Sequence, residues 1–203
     1  MKKYAVLHEP GDIVTLAGTR FVVLDVERRG SLPDSLFLLA LESVGASEFG
    51  SSNNYAESDL KKAVDKWLED MGKRGLDNAK LIPREIDLTT LDGSGCYGKL
   101  SVKAAPLTLD EAREYADIIP NAERWCWLAT GWSGPSKSDG GYALYVDSGG
   151  NWFGGSCSVS GGIRPALKAP SILFEDSEAG LDLSKIPTDD LLQEIHRRLA
   201  EKA

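Results

Sequence analysis

The sequence predicts an α+β domain over residues 1–172, with two helices on an antiparallel sheet, then an acidic linker at 173–187 and a C-terminal helix at 188–203. Extended apolar runs come first and two capped helical segments follow. A Trp- and Gly-rich series of strands closes the domain, so strands and helices are segregated rather than alternating.

Residues 12–16 and 20–27 are β-branched, apolar runs on either side of Gly18, which reads as a hairpin. A third strand at 36–41 follows a loop containing Gly30, Pro33 and Asp34. In the first helix Leu60, Ala63, Val64, Trp67, Leu68 and Met71 recur at helical spacing along one face. Asn54 and Glu57 have the spacing of an N-cap and its third residue, and Gly72 marks the end. Trp67 lies in that apolar face and is assigned to packing. The second helix opens on Thr108-Leu109-Asp110-Glu111, where the Thr hydroxyl and the Glu carboxylate can cap each other's amides. Leu109, Ala112, Ala116 and Ile119 form its expected buried side, and Pro120 stops it.

Residues 125–169 hold four of the five tryptophans and ten of the 21 glycines. Here 125–129 and 142–146 read as strands, 131–141 as a long polar loop, and 147–150 as a turn. Residues 151–158 read as loop or strand, and 163–168 as the last strand. Pro165 suggests an edge or irregular position for that strand. Short extended runs and an Asp92-Gly93-Ser94-Gly95 turn lie between the two helices.

Beyond the domain, Thr188 caps a short helix whose Leu191, Leu192, Ile195 and Leu199 make a narrow apolar stripe. Acidic residues sit at its start and basic ones at its end, as the helix dipole favours. A helix of about 13 residues is marginal alone. The stripe is therefore expected to dock on another surface, a second copy of the chain being the simplest.

Composition narrows the function. Hydrophobic residues make up 42% and charged residues 27%, as in a soluble globular protein. No apolar run is long enough to span a membrane. The apolar start is too short for a secretion signal, so the expected location is cytoplasmic as synthesised. Net charge is −8, and residues 175–203 supply half of it, with four Lys/Arg against eight Asp/Glu. An acidic chain without a basic stripe argues against nucleic acid as partner. Cys96, Cys126 and Cys157 are odd in number and form no C-x-x-C motif, so reduced thiols are expected, at least two of them buried.

Several motifs recur together. They are Asn53-Asn54-Tyr55 leading to Ser58-x-Leu60 and Trp67-Leu68, the helix start Leu107-Thr108-Leu109-x-Glu111-Ala112, and Trp125-x-Trp127-Leu128-Ala129-Thr130. Tyr145-Val146-Asp147-x-x-Gly150 then runs to Gly162-Ile163-Arg164-Pro165-Ala166-Leu167. Over roughly residues 12–170 the chain resembles a bacterial and phage family of domains of unknown function with a C-type-lectin-like fold. The closing pattern is similar to that of the variable proteins targeted by diversity-generating retroelements and, more distantly, of formylglycine-generating enzymes. Ala129 stands where the family usually has Arg. The calcium-and-sugar signatures of true C-type lectins are missing, and the paired cysteines of formylglycine-generating enzymes have no convincing counterpart.

Trp132, Asp139, Tyr142, Tyr145, Asn151, Trp152 and Phe153 lie in or beside the turns that the resemblance places on a ligand-contacting face. Loops on a rigid scaffold often carry recognition, and aromatic rings give contact area at low entropic cost. Trp125, Trp127 and Tyr145 are assigned to the core. Trp132, Asp139, Tyr142, Asn151 and Trp152 remain the candidate ligand contacts. Arg164 is expected to donate to backbone carbonyls rather than hold an anion. His8 and His196 are isolated, so no catalytic residue, metal ligand or cofactor is assigned. The expected function is non-enzymatic recognition of a protein or glycan, with display on a phage particle as one setting. The alternative is an oxidase of the formylglycine-generating type using a Cys126 or Cys157 thiolate.

Overall fold

The computed structural model describes residues 8–30 and 32–174. The expected tail helix with Leu191, Leu192, Ile195 and Leu199 lies outside these residues, as does the linker from 175 onward.

The fold is α+β, with twelve strands and two α-helices among the described residues, all strand pairs but one antiparallel. The first hairpin pairs β1 (Ile13–Leu16) with β2 (Thr19–Arg29) across Ala17-Gly18, both at positive φ (47° and 75°). That mirror-image turn matches the twist of the strands. β2 continues into β3 (Leu32–Ala40). The next partner of β3 comes from the far end of the chain, β12 (Ala166–Pro170), which also pairs with the two-residue β7 (Ala104–Ala105).

The expected single sheet is two sheets and a ribbon. The second sheet has the order β10 (Trp152–Ser156), β9 (Tyr142–Val146), β8 (Cys126–Gly131), β11 (Ser160–Gly162), β4 (Ala46–Glu48). β5 (Arg84–Asp87) and β6 (Lys99–Val102) form the ribbon. Pro165 sits between β11 and β12, and β12 is an interior strand, so the proline breaks no ladder.

Both sheets contribute to two apolar clusters, which explains their continuous apolar runs. Phe21, Val23, Leu36 and Leu38 join Leu60, Val64 and Met71 of the first helix in one cluster. Val22, Leu24 and Leu39 meet Leu109, Ala112, Leu128 and Leu144 in the other. α1 (Asp59–Lys73) carries the expected face, and Trp67 packs on the core beside Phe21. Its N-cap is Ser58, not Asn54: Ser58 Oγ accepts from the Lys61 amide, while Asn54 caps a separate 3₁₀ turn, Tyr55–Glu57. The helix runs one residue past Gly72. α2 (Leu109–Glu114) has both halves of the Thr108/Glu111 capping box. It is shorter than expected and ends in turns from Tyr115, which leaves Ala116 exposed. The domain closes on a 3₁₀ turn, Ser171–Phe174, with Phe174 buried.

The chain crosses between the sheets twice at one place. Outbound it runs from Ala40 to β4, and on return from Gly162 to β12. The two passages bond through Ala40 N to Pro165 O (2.9 Å), Val44 N to Ile163 O (2.8 Å) and Ile163 N to Gly45 O (3.0 Å). Arg164 is buried at this crossing. Its Nε donates to Ala40 O (2.8 Å) and its Nη2 to Leu41 O (3.0 Å), the structural role expected of it. Arg164→Met keeps the aliphatic stem but removes the donors from both carbonyls. A loss of about 3 kcal/mol is expected, because buried acceptors left unsatisfied carry their full desolvation cost. Urea unfolding checks this: the midpoint should fall with little change in m, and a loss below about 1 kcal/mol would end the structural assignment.

Candidate functional site

The Trp-rich stretch forms the outer half of the second sheet. β9 and β10 pair Trp152 with Val146, Phe153 with Tyr145, Gly154 with Leu144 and Ser156 with Tyr142. Pleat alternation sends Trp152, Gly154 and Tyr142 to one face and Phe153 and Tyr145 to the other.

On the first face the Trp132 ring covers Gly154. A Cβ at position 154 would lie 2.4 Å from two of its ring carbons. Only a residue without a side chain lets the indole lie flat on the strand. Trp132, Trp152 and Tyr142 thus share a face, and they remain 37%, 42% and 45% exposed. Arg113 of α2 reaches over the Trp152 ring, with its guanidinium carbon 5.6 Å from the centroid.

The opposite face holds a chain of rings. Phe153 meets Tyr145 at 5.8 Å, Tyr145 meets Trp125 at 4.8 Å, and Trp125 meets Trp127 at 5.0 Å. Trp127 then meets Phe49 at 5.5 Å. Trp127 is fully buried and its Nε1 donates to Ser47 O (3.1 Å), while Trp125 and Tyr145 are half-buried. Phe153, not among the candidate contacts, is 48% exposed and ends this chain at the surface.

Asn151 and Asp139 occupy different surroundings. Asn151 folds back on the turn: its amide donates to Asp147 Oδ1 (2.8 Å), and its Nδ2 lies 3.3 and 3.2 Å from the two carboxylate oxygens. These bonds, the amide first among them, hold Asp147 below the usual carboxylate range. Asp139 is exposed on the loop, and its carbonyl accepts from the Tyr142 amide (3.0 Å).

The loop between β8 and β9 is anchored by residues that had no assigned role in the sequence. Asn53 is buried, and its Nδ2 donates to Ser133 O (2.8 Å) and Tyr142 O (3.0 Å). Its backbone amide donates to Gly140 O (3.1 Å), and Tyr97 Oη donates to Asn53 Oδ1 (2.6 Å). A buried amide with every group engaged fixes both ends of the loop. The only sequence signal was the Asn53-Asn54 pair before a helix. At the rim, Lys137 Nζ binds Asp92 Oδ2 (2.6 Å), and Thr90 Oγ1 donates to Asp92 Oδ1 (2.5 Å).

Beside Trp152 the first face opens into a cleft of about 90 Å³. Leu128, Val146, Trp152, Ala116, Ile119 and Pro120 are among the residues that line it.

Cys126 and Cys157 are buried and Cys96 is exposed, and all three are free thiols. Burial pushes the Cys157 thiol up to about 12 and raises that of Cys126. Among the described residues no group of three His, Cys, Asp or Glu side chains is placed to hold a metal, and no helix is long and apolar enough to cross a membrane. Compared with known proteins, the chain matches no family model, no curated protein and no solved structure.

Two measurements check this site. Asp92 is held at about 2 against an ordinary 3.8, first by Lys137 and then by Thr90. A depressed carboxylate stabilises the fold fully above its unfolded pKa and loses that contribution as pH falls through the folded one. Asp92→Asn should therefore melt below the native protein at pH 5, with the gap closing between pH about 4 and about 2. A gap that stays constant down to pH 2 would remove the contact from the loop's support. Separately, thiol titration of the native protein should find one fast group, Cys96, and two that react only on unfolding.

Proposed function

We propose that this protein is a non-catalytic recognition module with a C-type-lectin-like fold, of the kind used by phage-related variable proteins, and that it binds a protein or glycan partner. One observation carries the reading: Trp132, Trp152 and Tyr142 are partly exposed together on one face of a sheet whose adjoining loop is pinned by a buried asparagine. Exposed rings on a fixed scaffold offer contact area whose ordering cost is already met. The topology supports the fold reading. The last strand returns to pair with the N-terminal strands, both helices fall between these strands in the chain, and the sheet of the C-terminal half carries the long loop.

The oxidase alternative needs an accessible thiolate. Burial and raised thiol pKa values make Cys126 and Cys157 poor candidates for it. Oxygen uptake with copper and a cysteine-containing peptide should stay at the protein-free level, and turnover would reverse the reading.

The binding test uses the purified protein on glycan and protein arrays, followed by titration of any ligand found. Trp152→Ala and Trp132→Ala should each weaken binding by about 2 kcal/mol or more, the scale of a hot-spot aromatic. Unchanged affinity in both variants would move the site away from this face.

A further inference from the structure

The cleft beside Trp152 differs in chemistry from the open aromatic face next to it. Its apolar lining includes Leu128, Val146, Ile119, Pro120 and Trp152. Three polar side chains also reach it: Asn121, Asp147 and Arg164. Two of them are already committed. Arg164 turns its Nε and Nη2 to Ala40 and Leu41, and Asp147 binds the amides of Gly149 and Asn151. A sugar ring needs several directed polar partners, and a buried hydroxyl without one costs free energy. An aliphatic group needs none.

Size points the same way. A dry protein cavity of about 150 Å³ accepts benzene. This cleft, at about 90 Å³, suits a leucine-sized side chain entering from its open mouth. The surroundings set the charge of the segment that delivers it. The outer wall comes from α2 and the turns after it, where Asp110, Glu114, Asp117 and Glu123 are exposed. Arg113 and Arg124 are the exposed basic residues of the same stretch, two against these four carboxylates, and Arg113 is held over the Trp152 ring and against Asp110 (3.3 Å). With a net charge of −8 on the whole chain, the field at this mouth favours a cationic partner.

We infer that the cleft is a side-chain pocket, and that its occupant is a leucine-sized aliphatic residue carried on a basic protein segment. This rests on the recognition reading above and commits it to a protein partner on this part of the surface. The neighbouring rings then cover the flanks of the segment, excluding water around the anchor as interface rims do.

The test uses three synthetic peptides and the full chain. The probes are N-acetylated, C-amidated Lys-Lys-Leu-Lys-Lys, the same peptide with Gly at its centre, and Glu-Glu-Leu-Glu-Glu. Amide NMR shifts and tryptophan fluorescence are followed in titrations. The Lys/Leu peptide should bind, with its largest shifts at Ala112, Ala116 and Val146. The Gly and Glu peptides should bind at least about tenfold more weakly. Ala116→Leu fills the mouth from an exposed position and should weaken the Lys/Leu peptide by about tenfold with an unchanged melting temperature. Should that variant lose stability, the shift map on the native chain decides instead. Equal binding of the Gly peptide, no binding of the Lys/Leu peptide, or shifts confined to other surfaces would each overturn the pocket. Saturable shifts in the cleft from methyl glycosides without any from the peptides would also overturn it, in favour of a sugar. An array ligand lost in Trp132→Ala but untouched by Ala116→Leu would end the pocket inference while leaving the recognition reading intact.

Discussion

The structure depends on the double crossing between its two sheets, and Arg164 is the side chain that holds it. A strand leaving one sheet and a strand entering it would each expose backbone carbonyls at the exchange point. Such groups in an interior must be paired. The guanidinium meets this need with Nε on Ala40 and Nη2 on Leu41, inside a frame of backbone bonds between 40–45 and 163–165. Burial pulls its pKa down, and nearby Cys126 and Glu42 act in the opposite sense. A lysine, with one compact donor group, does not reproduce a planar fork aimed at two carbonyls. Because β12 follows Arg164 directly, the register of the last strand against β3 is set by the same contact that positions β11 in the second sheet.

From that anchor outward, the second sheet is organised by aromatic rings seated on glycines. Trp132 lies on Gly154. Trp125 lies on Gly161, where an added Cβ would come within 2.4 Å of its ring. Glycine in a strand normally weakens it. Here the missing side chains provide the space that the indoles fill, so the local loss is offset by ring burial. This coupling explains why glycines and tryptophans are dense in the same stretch. It also separates two roles that look alike in sequence. Rings at 125, 127 and 145 run inward to Phe49, while those at 132, 142 and 152 stay at the surface.

Local signals were legible because their partners lie within three or four residues. The Thr108–Glu111 box and the apolar face of α1 needed no knowledge of the rest of the chain. The Asn54 cap was misassigned because two caps lie within five residues, and each serves its own turn. Strand partnership was harder. β12 pairs with β3 across more than a hundred residues, and no local pattern distinguishes one five-stranded sheet from another. The candidate residues were harder in the same manner. Gly and Ser neighbours favoured exposure of Trp132 and Trp152 no more than burial, so the fold decides it, and the turn-closing role of Asn151 likewise depends on the conformation of 147–151. Asn53 was illegible, since its partners at 133, 140 and 142 are brought to it by the fold.

The placement of Asn53 bears on how the outer face works. A loop of about ten residues closed only by its ends samples many conformations, and fixing it on binding costs affinity. Here the loop is fixed by three bonds from one buried residue and an ion pair at the rim. The exposed part between those anchors, 135–139, is polar and small in side chain, with Pro135 and Lys137 as its larger members. Changes there leave the Asn53 bonds, the Gly154 seat and the Arg164 crossing untouched, because none of those contacts uses a side chain from 135–139. The segment is tied to the body by the Tyr142 amide on the Asp139 carbonyl and, through a side chain, by Lys137 on Asp92 at the surface. The fold therefore separates a rigid aromatic platform from a short exposed segment whose side chains its buried anchors do not use.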